Sequence, residues 1–174
     1  MATSGWMAAV AVAAALAAPG LAHAGDNWYL LYMPKDYSDA MYVDVTNMTT
    51  SGTVKTVVMQ TVERISVEPG DIFATSILIE TDCATHAQKM LKVTVFNDQG
   101  TAENRTIPAA EAAPPKPDSR GEVVEKFICS PPETWDKTKL VDEASVGGSI
   151  RQYGRFMLQT MLVDAVEKNS RNPK

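Results

Sequence analysis

The chain has almost no cysteine or histidine, two of each in 174 residues. That scarcity argues against a metal site, which would need more ligands of these types than the chain supplies. A second missing feature is a basic cluster. Sixteen Lys and Arg against 21 Asp and Glu give a net charge of -5, and the cations are scattered along the sequence. Nucleic acid and anionic membrane both want a positive patch, so neither is an expected partner. After residue 24 no apolar run is long enough to span a bilayer as a helix, so the mature chain is not expected to insert stably. Catalytic signatures are missing too: there is no Walker loop, GxGxxG, GxSxG, HExxH or CxxC.

What is present begins with the leader. An alanine-rich apolar run, Trp6 to Ala18, meets the helix-breaking pair Pro19-Gly20 and closes on Ala22-His23-Ala24. Small residues at the two positions a signal peptidase reads give a secretory signal, with cleavage after Ala24 leaving Gly25 first. The alternative, an uncleaved anchor, needs about 20 apolar residues, and this run is shorter. No cysteine lies near the cut, so lipidation there is excluded. The protein is therefore expected to be secreted or periplasmic. About 150 residues then remain, enough for one ordinary domain with a core. Hydrophobic residues are 45% and charged residues 21% of the chain, normal for a globular protein.

From Trp28 to about Thr106 the pattern is that of strands. Asn27 to Met33 is aromatic and aliphatic and stops at Pro34. Met41, Val43 and Val45 alternate with Tyr42, Asp44 and Thr46, the period of a half-buried strand. A turn at Thr50-Ser51-Gly52 precedes a Val- and Thr-rich stretch, Thr53 to Arg64, and Pro69-Gly70-Asp71 turns the chain again. Ile72 to Thr81 carries Phe73, Ile77 and Ile79 on one face, with Cys83 on that face by parity. In Lys89 to Phe96, Leu91, Val93 and Val95 point inward. Asn97-Asp98-Gln99-Gly100 is a turn into a last short strand at Ala102 to Thr106. About six strands in an antiparallel meander result.

The period then changes. Residues 107–118 hold Pro108, Pro114, Pro115 and Pro117, an extended connector. Ser119 with Glu122 forms a capping box ahead of Val123, Val124, Phe127 and Ile128, a short helix ending near Cys129 before Pro131-Pro132. Ser149 with Gln152 repeats the capping signature. Ile150, Tyr153, Gly154, Met157, Leu158, Met161, Leu162 and Ala165 then trace an amphipathic helix to about Lys168, with a fraying tail from Asn169. The reading is one α+β domain, residues 25–174: an antiparallel sheet (25–106), the connector (107–118), and a helical part (119–174) whose helices pack on one face of the sheet.

In an oxidising compartment an even pair of cysteines is a disulfide, here Cys83 with Cys129. It would close a loop of roughly fifty residues, an effect of about 4 kcal/mol in the chain-entropy model. Two alternatives stand beside it. Cys83-Ala84-Thr85-His86 has a C-x-x-H spacing next to Asp82, but a metal site lacks ligands once His23 leaves with the leader. A thiol nucleophile with His86 as its base needs a free thiol, which export disfavours.

Other residue sets have both a functional and a plain reading. Asp36, Asp39, Asp44, Glu80 and Asp82 could pair as catalytic carboxylates or be a solvated surface. The Trp28 to Met33 run is either a binding strip or core on one face and cover on the other. Met157, Leu158 and Met161 could serve a partner groove, or simply the core side of a helix. Asn47-Met48-Thr49 and Asn104-Arg105-Thr106 are formal glycosylation sequons.

Trp28, Tyr42-Val43-Asp44, Glu80-Thr81-Asp82-Cys83 and Phe96-Asn97-Asp98-Gln99-Gly100 come in that order. A Pro-rich approach, Ser119, the helix of Val123, Val124 and Phe127, and Cys129 follow. This order resembles the surface-adhesin protein E family of bacterial exported proteins, over about Trp28 to Cys129. The resemblance implies a small antiparallel sheet backed by a helix, with a cysteine near the helix end bridged to a strand cysteine. It also implies binding of host extracellular-matrix and serum proteins, although no residue here can be matched to such binding. The segment after Cys129 departs from the family pattern. The expected function is an exported, non-enzymatic binding protein with a host or envelope protein as partner and no cofactor. A small periplasmic enzyme using an acidic residue or His86, and a structural accessory of an envelope assembly contacting through the Ile150 helix, are the alternatives.

Overall fold

A computed structural model describes residues 27–64, 71–99, 101–107 and 111–171. The leader with its Ala24–Gly25 cut, and Pro69, Gly70, Gly100 and Pro108, lie outside the described residues. Alternating β-branched and aromatic residues form strands β1 (Asn27–Tyr32), β2 (Asp39–Asp44), β3 (Thr49–Ser51), β4 (Val54–Glu63), β5 (Ile72–Asp82), β6 (Ala87–Asn97) and β7 (Ala102–Arg105). Helix α1 (Arg120–Cys129), strand β8 (Leu140–Asp142) and helix α2 (Ile150–Arg171) follow. The strands form one antiparallel sheet in the order β7-β6-β5-β4-β2-β1-β8, with β3 paired to β4. The fold is α+β, as the residue pattern implies.

The sheet has eight strands among the described residues where about six were expected. Thr49–Ser51 pairs with Val54–Thr56, so the turn is narrower than Thr50-Ser51-Gly52 and falls at Gly52, whose φ of 61° is left-handed. The other addition comes from the helical part: Leu140–Asp142 pairs with Asn27–Tyr29 and covers the edge of β1. Three residues are too short to show a period in sequence.

The two helices lie on opposite faces, and this corrects the expectation that both pack on one. Successive residues of a strand point to opposite sides. Tyr29, Met41, Val43, Val57, Met59 and Ile79 form one core with Val124, Phe127 and Ile128 of α1. Residues of opposite parity on the same strands, Trp28, Ala40, Tyr42 and Val62, with Phe73 and Ala74, form a second core with Ile150 and Leu158 of α2. The sheet is thus buried on both sides, which explains why Ala40 through Asp44 are all buried instead of alternating. Helices that follow one another in sequence need not share a layer, and periodicity within each helix says nothing about which face it covers.

Two bulges also shift the expected parity. In β5, Ile72 pairs with Asn97 and Ala74 with Phe96, so Phe73 is an extra residue and joins the α2 core instead of the face of Ile77 and Ile79. In β6, Lys92 pairs with Leu78 and Met90 with Ile79, leaving Leu91 as the extra residue, exposed instead of inward.

Capping fixes both helices. Ser119 Oγ accepts from the Glu122 N–H at 3.3 Å, and Glu122 reaches back to the Asp118 N–H at 2.7 Å. At α2, Ser149 and Gln152 exchange reciprocal bonds. Glu143 accepts from the Ile150 N–H at 2.7 Å and from the Trp28 indole at 3.0 Å, which ties the start of α2 to β1. Gly154 admits close contact: a Cβ there would lie 3.0 Å from the Tyr42 ring and 3.2 Å from Val62.

Candidate binding cleft and cysteine clamp

Helix α1 covers β1, β2 and β4 on its face and reaches Ile79 of β5. Toward β6 the same face opens, and the Pro-rich connector walls it on the far side. Gln88 and Ala113 hold that wall by a pair of backbone hydrogen bonds, 2.8 and 3.1 Å. The result is a cleft of about 540 Å³, a size typical of ligand sites. Its floor is Met59, Ile77, Ile79 and Met90, with Thr61 and Thr75 farther along, and register places Met59 opposite Ile77 and Ile79 opposite Met90. The rim carries Glu63, Lys89, Glu111 and Arg120.

Two features constrain its edge. Arg120 is already engaged by Asp39 in an ion pair and lies 5.9 Å from the Tyr32 ring centroid. Gly121 lets α1 approach the wall, because a Cβ there would meet Gln88 Oε1 at 3.0 Å and Pro115 Cβ at 3.1 Å. The Gln88 Nε2 donor is buried and has no hydrogen-bond partner among the described residues. An unpaired buried donor costs about 1–3 kcal/mol, and an acceptor brought by a ligand would recover it.

At the end of this hairpin the structure sets Cys83 and Cys129 in disulfide geometry, with Cα atoms 5.4 Å apart. The β5-β6 turn is thereby held against the last turn of α1. His86, at a left-handed φ of 61°, places Nδ1 2.7 Å from Glu125 Oε1 of the same helix. The Lys55 ammonium donates to the Ile128 carbonyl at the helix C-terminus. Next to the clamp, Tyr29, Phe127 and Trp135 stack, with centroids 4.3 Å apart for Tyr29 and Phe127 and 4.5 Å for Phe127 and Trp135.

The residues considered for catalysis are not gathered. Asp82 accepts from the Ala84 N–H and the Thr85 hydroxyl within its turn, and these bonds hold its carboxyl below the usual range. Asp44 accepts from the Thr46 and Asn47 N–H groups. Asp36 is committed to Ser38, which lowers its pKa. His86 is engaged by Glu125 outside the cleft, and none of His86, Asp44 and Asp82 lines it. The Trp28 to Met33 run splits between the two cores, Tyr29 to one and Trp28 to the other. In α2, Leu158 is buried in core, while Met157 and Met161 line a smaller pocket against Tyr42 and Tyr153. Burial and the neighbouring Tyr153 push the Tyr42 phenol well above its ordinary value.

Sequence reasoning missed the cleft. Met59, Ile77 and Ile79 read as ordinary core, and nothing local says that the cover ends before Met90. Gln88 and Gly121 carried no signal either, since each matters through contacts with distant segments.

A family model described as surface-adhesin protein E matches residues 28–130. The match takes in the cleft and both cysteines, and leaves out β8 and α2. No curated protein matches the chain, and no solved structure does.

Proposed function

Because the chain belongs to the surface-adhesin protein E family, we propose that it is an exported, non-enzymatic binding protein that engages a host or envelope protein. The observation that carries this reading is the family match, whose span contains the cleft and the cysteine pair. In the same reading residues 1–24 are a signal removed after Ala24, and Gly25 begins the mature protein. The Cys83–Cys129 bond forms on export and holds the cleft-bearing hairpin to α1. Among the described residues no helix is long and apolar enough to cross a membrane, which fits a released or surface-held chain equally.

The experiment is cross-linking in the intact native envelope followed by mass spectrometry of the captured chain. A mature N-terminus at Gly25, no free thiol and a reproducible protein cross-link are expected. An uncleaved leader would overturn the cleavage after Ala24, and two free thiols would overturn the clamp. A second reading, an accessory of an envelope assembly, is favoured by one observation: α2 leaves Phe156, Val163 and Val166 exposed at 63, 55 and 59%. Cross-links confined to α2 would support it.

A further inference from the structure

We propose that the cleft between the β4-β5-β6 face and the connector binds an extended, uncharged segment of a partner protein and buries one of its apolar side chains. This rests on the reading of the chain as a binding module and names the site and the chemistry it accepts.

The argument starts from the floor. Ile77 and Met90 present an apolar surface over the buried Met59 and Ile79, and Met90 is 50% exposed although it sits in the register of a core row. Two methionines and two β-branched residues suit an aliphatic or aromatic side chain of variable shape. The volume, about 540 Å³, holds such a side chain with a short stretch of flanking main chain.

The rim decides the charge of the occupant. It carries two acids, Glu63 and Glu111, and two bases, Lys89 and Arg120. Arg120 is already engaged by Asp39. An anionic head group, such as that of a fatty acid, would need a cationic field that Lys89 beside Glu63 and Glu111 does not provide. A neutral main chain does not. Thr61 and Thr75 offer hydroxyls along the floor, and the buried Gln88 Nε2 donor, without a partner among the described residues, matches a peptide carbonyl. The wall is itself extended backbone, fixed at the Gln88–Ala113 bridge. An amphipathic main chain with one apolar anchor therefore satisfies the floor, the rim and the orphan donor together, and an acyl chain satisfies only the floor.

The test pans a phage-displayed library of random peptides on the oxidised full-length mature chain. Enriched sequences are synthesised with capped ends and titrated by NMR against methyl-labelled Met and Ile. The enriched peptides should share an aliphatic or aromatic position, and changing it to Ala should weaken binding by about tenfold or more. Perturbed methyls should centre on Ile77, Ile79 and Met90. Met90→Lys and Thr75→Arg should each abolish binding while keeping the wild-type denaturation midpoint; with two variants and a direct map, a folding failure in one does not decide the result. Gln88→Leu should weaken binding several-fold. Peptides that map to α2, or that bind Met90→Lys as well as wild type, overturn the cleft assignment and leave the binding-module reading standing. Perturbation of the same methyls by decanoate but by no peptide overturns the peptide chemistry. Failure of the binding-module reading is read separately, as the absence of any protein cross-link in the native envelope.

Discussion

His86 Nδ1 lies 2.7 Å from Glu125 Oε1, and Glu125 sits one helical turn before Cys129, the partner of Cys83. Two contacts of different chemistry thus bring the β5-β6 turn to α1. One, the proposed disulfide, can be cut by a reductant. The other depends on a carboxylate that is 6% exposed.

Reducing the cysteines, or replacing both with alanine, should lower unfolding free energy by about 4 kcal/mol, the chain-entropy figure for a separation of 46 residues. Urea denaturation with and without a reductant measures it. An unchanged midpoint would mean that the bond is absent from the oxidised protein.

His86→Ala removes the hydrogen-bond partner of a buried carboxylate and should cost about 1–3 kcal/mol. The loss should shrink when Glu125→Gln is added, because the uncompensated charge goes with it. A double-mutant cycle on urea midpoints reads the coupling. Additive losses would show that the contact carries no energy.

Helix α2 lies beyond the family match yet supplies Ile150 and Leu158 to one core. Leu158→Ala should therefore cost about 2–5 kcal/mol. Gly154→Val should cost about 1–3 kcal/mol by overpacking Tyr42 and Val62. Phe156→Ser, on the exposed side of the same helix, should stay within about 0.5 kcal/mol. Removing residues 146–174 should leave a collapsed or aggregating remainder. A folded, monodisperse remainder would show that α2 is a docking element and not core.

Acid should destabilise the fold through its turn carboxylates. The Ala84 N–H, then the Thr53 and Thr85 hydroxyls, hold Asp82 below its ordinary value of 3.8. The Lys126 ammonium and the Asp118 N–H do the same for Glu122. A folded pKa below the unfolded one adds stability above the ordinary value, and that stability is lost as pH falls through the lower, folded value. Urea midpoints should hold steady down to about pH 5 and fall below about pH 4. Asp82→Asn should flatten that fall, and an unchanged acid slope would assign it to other groups.

Gly121→Ala should act on the cleft more than on the fold. Its Cβ would press on Gln88 Oε1 and Pro115 Cβ, the residues that set the wall. The expected result is a shifted Gln88 side-chain amide resonance with an unfolding free energy changed by less than about 1 kcal/mol. A large loss of stability would mean that the connector cannot yield there.

Much of this molecule is legible along the chain because its signals are local. Alternation in Met41, Val43 and Val45 marks β2. Ser119 with Glu122 marks the start of α1, and Ser149 with Gln152 that of α2, since capping is settled within four residues. Two cysteines leave one intramolecular pair to consider. The order of Trp28, Asp82-Cys83, the Asn97 turn and Cys129 suffices to place the family.

What the sequence by itself determined, then, is the class of the fold, the meander and the helix starts, all governed by neighbours a few residues apart. The tertiary structure alone decided which face each helix covers, that Phe73 and Leu91 leave their parity at bulges, that Leu140–Asp142 closes the β1 edge, and that α1 stops short of Met90. These outcomes turn on contacts between segments tens of residues apart, where periodicity carries no information. The cleft belongs to that second group. It is the space left between a sheet face, a helix end and a connector, and no residue of its lining announces it alone.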